Sequence, residues 1–289
     1  MKICVIGGAN LDITAISSAS FRSEDSNPGR VRTSLGGVAR NIAHNLSLLG
    51  DKVTFITFFG DDMFGQNIKD SCEALGMDIS ACQTAENAPN PCFVSINDTD
   101  GRMVGGIADM DTVNLITPEW LEQRKDTINK ADAIVADANL QSETLAWLMD
   151  NCISPLYLDA VSGPKSSRIA EAFRIARNPH FHSVKYNRLE EKEVSSLQHH
   201  GRHFISLGKD GLKVIDNQQT QTQISFPACP IDPDRIRNMT GAGDALFAGI
   251  IHCGPKASVN QAAAFGLRCA ALTLESPEAV YPELNSLIQ

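Results

Sequence analysis

A chain of 289 residues, 43% hydrophobic and 20% charged, has the length and apolar content to bury a sizeable core. Its formal net charge of −9 and isoelectric point near 5.2 argue against nucleic acid or an anionic membrane as main partner, because both are polyanions. The eight cysteines contain no C-x-x-C pair and read as reduced core thiols, not as a disulfide framework or zinc site.

The N-terminal run KICVIGG (2–8) is a β-rich segment ending in glycines. It is too brief for a signal or membrane segment, and no other apolar run approaches about 18 residues, so a soluble, cytoplasmic chain is expected. Short alternating strands at 12–17 and 30–35, joined through DSNPG, read as a hairpin. VARNIAHNLSLLG (38–50) has helical periodicity, KVTFITFFG (52–60) reads as a buried strand, and a helix follows over about 65–75. A second hairpin, 92–98 with 102–107, turns on DTDG. Strand 133–139, helix 142–152, strand 155–161, helix 166–176 and strands 182–187 and 203–208 complete the pattern.

Such alternation implies an α/β, doubly wound, mostly parallel sheet with helices on both faces, and ligands gather beyond the carboxyl ends of its strands. Asn10, Asp12, Asn139, Asp159, Asn187, Glu190 and Gly208 follow strands and are therefore candidates. No linker divides the chain, which reads as a single domain over 1–289. The hairpins, about 12–35 and 90–108, read either as peripheral edges or as a small β lid over the crevice.

The string TGAGDALFAG (240–249) opens a helix, and Gly241 and Gly243 let its first N–H groups converge into an anion hole with Ala242. Asp244 then has two readings. It caps the helix and complements its dipole, or it deprotonates a hydroxyl attacking a phosphoryl group held by the loop. In the second reading the dipole keeps the carboxylate ionised. In LGGVARNIAHNLSLLG (35–50), Gly36 and Gly37 permit close ligand approach and Asn41 projects an amide one turn into the helix. Asn187 and Glu190 stand at i, i+3, where they could share a helix face directed at a metal-bound phosphate or be solvated surface. HFH (180–182) and HHGRH (199–203) lack companion ligands and read as loop histidines, and no Walker-type G-x-x-x-x-G-K-[ST] occurs.

Taken in order, GGANLD (7–12), GGVARNIAHNLSLLG, GDDMFG (60–65), NRLE (187–190), SLGKDG (206–211) and TGAGDALFAG resemble the ribokinase-like (PfkB) family of carbohydrate and nucleoside kinases along essentially the whole chain. DSNPG, ADMD (108–111), VADANL (135–140), AWLMDN (146–151) and DAVSGPK (159–165) are most similar to its pseudouridine-kinase branch. The resemblance implies ATP-dependent phosphorylation of a nucleoside 5′-hydroxyl. Uridine, adenosine or ribose are alternative acceptors, and a catalytically silent nucleoside-binding protein is a further alternative. Asp244 would be the base, with Gly241, Ala242 and Gly243 as the anion hole. Asp12, Gly36, Gly37 and Asn41 would bind ribose, and Asn139 and Asp159 would add polar contacts. Asn187 and Glu190 would organise Mg2+ and phosphates, with Glu190 as the metal-side acid. Ser206, Gly208 and Gly211 would line the ATP site, with Phe265 and Gly266 near adenine. A monovalent cation such as K+ is a family accessory, and a homodimer through the lid is expected, since unpaired strand edges invite pairing. Three departures stand out: Asn238 where Asp is commoner, KYN (185–187) in place of K-P-N, and a segment from Glu191 to Phe204 too short for the helices usual there.

Overall fold

The computed structural model describes residues 1–217 and 221–288. In chain order it runs β1 (Lys2–Ile6), β2 (Asn10–Ser17), β3 (Gly29–Gly36), α1 (Val38–Leu48), β4 (Lys52–Ile56), β5 (Phe58–Gly60) and α2 (Met63–Ala74). Then come β6 (Gln83–Ala85), β7 (Cys92–Asn97), β8 (Met103–Asp109), α3 (Pro118–Glu122), α4 (Lys125–Ile128), β9 (Ala133–Asp137), α5 (Ser142–Asn151), β10 (Leu156–Asp159) and α6 (Gly163–Ile175). The C-terminal part holds β11 (Ser183–Asn187), α7 (Glu191–Val194), β12 (Arg202–Ser206), β13 (Leu212–Asp216), β14 (Thr222–Phe226), α8 (Ala242–His252) and α9 (Val259–Leu274).

The main sheet has the order β14-β13-β12-β11-β10-β9-β1-β4. Strands β4, β1, β9, β10, β11 and β12 are parallel neighbours, whereas β13 and β14 are added antiparallel. Period-two alternation splits the apolar side chains between two cores, because both faces are covered. Ile3, Val5, Val135 and Tyr157 pack with α1, α8 and α9, while Cys4, Ile6, Ala136 and Leu158 pack with α5 and α6. The eight cysteines are free.

The hairpins join into one four-stranded sheet, β3-β2-β7-β8, through a parallel β2–β7 pairing. Other details differ from expectation. The strand expected over 52–60 breaks at Thr57, whose buried hydroxyl donates to the Gly7 carbonyl at 2.7 Å, and β5 leaves to pair with β6. The short segment after Glu190 still makes a parallel crossover from β11 to β12, using only α7 and one 3-10 turn, Ser195–Leu197. The strand expected to reach Gly208 stops at Ser206, since Leu207 turns the chain and Gly208 lies at φ 60.

Candidate active site

The ends of β9, β10, β11 and β12 lie side by side at the carboxyl edge of the sheet and carry Asp137, Asp159, Asn187 and Ser206. Above them begins α8. Its N-cap, Gly241, has φ 83, and a Cβ there would meet the Ala279 carbonyl oxygen at 1.8 Å, so only glycine fits. No side chain caps this helix, and the first N–H groups of a helix have no intrahelical acceptor. The loop 241–244 therefore presents donors and a positive dipole end at one point.

Asp244 sits in that first turn and is buried. Asn41, from the first turn of α1, donates its amide to Asp244 Oδ2 at 2.9 Å. Burial pushes the Asp244 carboxyl up to about 7, and Asp159 adds to the rise, while Lys185 and the Asn41 amide oppose it. Desolvation thus works against the helix dipole, which favours the ionised carboxylate.

Lys185 is a functional candidate that sequence reading passed over. Its Nζ donates to Asp159 Oδ2 at 3.0 Å, and a Cβ on Gly243 would lie 2.9 Å from it, so the ammonium rests against the glycine loop. Burial pulls the ammonium down, but Asp159, Asp244 and Glu190 outweigh it and hold Lys185 above the usual lysine range. A lone cation inside an apolar strand run, two residues before Asn187, was the available signal.

Asn187 and Glu190 do not share a helix face as their spacing suggested; they close a tight turn after β11. Glu190 accepts from Asn187 N at 2.9 Å and from Asn187 Nδ2 at 2.6 Å, and Asn187 Oδ1 accepts from Leu189 N at 2.8 Å. Among the described residues no three His, Cys, Asp or Glu side chains are placed to hold a metal ion. This donor set fits an ion carried by nucleotide phosphates and water, as Mg2+ usually is, and not a protein cage. At the other end of the loop Asn238 Oδ1 accepts from Thr240 N at 3.0 Å, so Asn238 braces the loop through its amide.

Gly36 and Gly37 precede α1 and pack closely on Asp12 and Gly8. A Cβ on Gly36 would sit 2.1 Å from Asp12 Oδ2, and one on Gly37, at φ 98, would sit 2.4 Å from the Gly8 carbonyl oxygen. Asn10 donates to Asp12 Oδ1 at 2.6 Å, and burial raises the Asp12 carboxyl. The buried Asp137, also missed, caps α1 from outside: its Oδ2 accepts from Ala39 N at 2.9 Å and from Asn139 Nδ2 at 2.9 Å. Burial pushes its carboxyl up to about 6.

After β12, Gly208 faces open space, whereas Gly211, at φ 92, packs against the Phe226 carbonyl oxygen. Phe265 and Gly266 lie on α9, where it packs against α8. Gly266 is buried at the crossing of α9 with α8, where a Cβ would meet the Leu246 carbonyl oxygen at 2.6 Å. Phe265 stacks on His252, the last residue of α8, at a ring-centroid distance of 5.4 Å. Both residues hold helices together, and Phe265 does so at the end of α8 opposite to Asp244.

A model of the pfkB family of carbohydrate kinases matches residues 1–285. The chain belongs to that family. It is 34% identical over 269 residues to a pseudouridine kinase of Escherichia coli (strain K12), covering 87% of this chain and 83% of that protein. It is 26% identical over 313 residues to a guanosine-inosine kinase of Exiguobacterium acetylicum, covering 100% and 99% respectively. The structure of Arabidopsis thaliana ribokinase complexed with ribose and ATP superimposes with a TM-score of 0.81 at 17% identity, over 99% of this chain and 98% of that one, which supports the ribokinase-like fold. This pfkB kinase is therefore a phosphotransferase acting on a hydroxyl group. No described helix is long and apolar enough to cross a membrane.

Proposed function

We propose that this kinase transfers the γ-phosphoryl group of ATP to the 5′-hydroxyl of pseudouridine. The observation that carries the phosphoryl-transfer half is the buried Asp244 in the first turn of α8, joined to Asn41 and facing the charge of Lys185. The acceptor is inferred from the likeness to the pseudouridine kinase of E. coli. Asp12, Gly36, Gly37 and Asn41 hold the ribose hydroxyls beside Asp244. The 5′-oxygen attacks the γ-phosphorus, its proton passes to Asp244, and the bond to the ADP oxygen breaks. The N–H groups of Ala242, Gly243 and Asp244 and the Lys185 ammonium face the charge that develops on the phosphoryl oxygens. Magnesium, when bound with ATP, neutralises the phosphates, and Asn187 and Glu190 would hold it through water. Ser206, Gly208 and Gly211 flank the nucleotide.

ADP release measured on pseudouridine, uridine, adenosine, inosine, guanosine and ribose tests the substrate. A kcat/KM at least about tenfold higher for pseudouridine, which is about 1.4 kcal/mol of discrimination, is expected. Preference for ribose or a purine nucleoside would overturn the assignment, and absence of any ADP release would favour a silent nucleoside-binding protein.

We further infer a homodimer through the lid and a cytoplasmic location. Strand register places Ile13, Val94 and Ile107 in one cross-strand row and Val31, Ala15 and Ile96 in the next, on the lid face opposite to Asp12. Val31 is 68% and Ile107 72% exposed, an apolar sheet face of a kind that another surface usually covers.

A further inference from the structure

The first turn of α6 carries a cation that phosphoryl transfer leaves unused. Lys165 is half-buried, and its Nζ donates to Asn139 Oδ1 at 2.6 Å. Among the described residues no carboxylate stands within ion-pair distance of it. Burial draws the ammonium below the usual lysine range, with Arg168 adding to the fall and Asp137 opposing it. An ammonium has three donors, and among the described residues only one has a partner. A half-buried cation resting on a neutral amide is costly unless something accepts from its other donors.

The surroundings fix this group with unusual thoroughness. Asn139 N and Nδ2 both donate to Asp137, at 3.0 and 2.9 Å. Arg168 Nη1 donates to the carbonyls of Ala138 and Asn139, at 3.2 and 2.8 Å, and so clamps the loop. The turn leading into α6 contains Val161 at φ 65, a left-handed conformation that a β-branched residue adopts only when its surroundings impose it. Its N–H is held by Asp159 Oδ1 at 2.9 Å. A strained turn hung on a candidate site carboxylate thus delivers Lys165 onto Asn139. A Cβ on Gly8 would lie 3.0 Å from Asn139 Nδ2, and the Gly8 carbonyl backs Gly37, so this wall is continuous with the ribose side of the pocket.

We propose that Lys165 is a specificity-determining residue that donates a hydrogen bond to a carbonyl oxygen on the base of the acceptor. Asn139, whose amide oxygen accepts from Lys165, orients the lysine and acts as a positioning residue. The inference rests on the nucleoside-kinase reading and deepens it. A pyrimidinedione offers two carbonyl oxygens to such a donor, whereas adenine and free ribose offer none. The wall therefore selects for the base and not for the sugar that Asp12 and Asn41 address.

The test compares wild type with Lys165→Met, using calorimetric Kd values for pseudouridine and for phenyl C-riboside, which keeps the ribose and the C–C link but lacks both carbonyls. The variant should bind pseudouridine about 10- to 100-fold more weakly, the loss of a charge-assisted hydrogen bond, with phenyl C-riboside affinity and the KM for ATP changed less than about twofold. Equal weakening of both ligands, or unchanged pseudouridine binding, overturns the proposal while leaving the nucleoside reading intact. A wild-type enzyme that phosphorylates ribose but neither binds nor phosphorylates a nucleoside overturns both.

Discussion

Asn41 donates its side-chain amide to Asp244 Oδ2 at 2.9 Å across 203 residues of sequence. The bond joins the first turns of α1 and α8. It also favours the ionised form of a carboxyl that burial pushes up to about 7. A base must be unprotonated to act, so kcat/KM for the acceptor should fall about tenfold per pH unit on the acid side of that value. Asn41→Ala removes a donor that stabilises the charged form, and its inflection should move to higher pH while the acceptor KM rises. Superimposable pH profiles for variant and wild type would show that the amide does not act on the base.

Asp244→Asn preserves shape and burial and removes the proton acceptor. Turnover should drop by about 10²- to 10⁴-fold, the usual worth of a general base, with nucleoside affinity by calorimetry retained. Turnover that persists within tenfold of wild type would transfer the role of base to another group.

Lys185→Met leaves Asp159, Asp244 and Glu190 without their shared counter-charge. In the wild type, Lys185 is raised above its unfolded value, so its stabilising contribution is present throughout neutral pH and fades only as pH climbs past the usual lysine range. Without the ammonium, the folded-state carboxyls of Asp244 and Glu190 rise further above their unfolded values. The variant should therefore keep more of its stability at low pH and lose it as pH rises through the raised values. Denaturant unfolding should give a deficit of about 3–5 kcal/mol at pH 8, the range for breaking a buried pair, and a smaller one at pH 5. A deficit that is equal at both pH values would mean that the carboxyls do not depend on Lys185 for their charge.

The parts of the site that lie on one continuous motif were legible in the chain. Gly241, Gly243 and Asp244 fall within four residues, and the requirement for glycine before a helix is local. Asn41 was legible for the same reason, though its bond to Asp244 was not, because nothing local encodes which helix ends meet. Lys185, Asp137 and Lys165 were missed because their significance is tertiary: each is a single polar residue whose partners come from another strand or helix. Spacing misled where the chain turns. The i, i+3 pair Asn187 and Glu190 suggests a helix face, but Asn187 binds its own backbone neighbours and closes a turn before α7 begins. The packing of Gly266 between α8 and α9 was not legible either, because it depends on which helices meet. The main alternation of strands and helices, read from period alone, placed the parallel part of the sheet, while β13 and β14 went unassigned because an antiparallel addition has no crossover helix to announce it.

The lid offers the last test. Its edge strands β3 and β8 are short of partners on one side, and Val31 and Ile107 expose apolar surface on the face turned away from Asp12. A second copy would cover that face, whereas water leaves it as exposed hydrophobic sheet. Sedimentation velocity of the wild type should show a dimer, and Val31→Lys with Ile107→Lys, which place cations on the covered face, should give a monomer with its melting temperature nearly unchanged. The substitutions lie outside the acceptor pocket, so a monomer that keeps its acceptor KM would mean that each lid serves its own site. A raised acceptor KM in the monomer would mean that the partner holds the lid in its working position. A wild type that sediments as a monomer would remove the dimer, and with it the explanation for the apolar face.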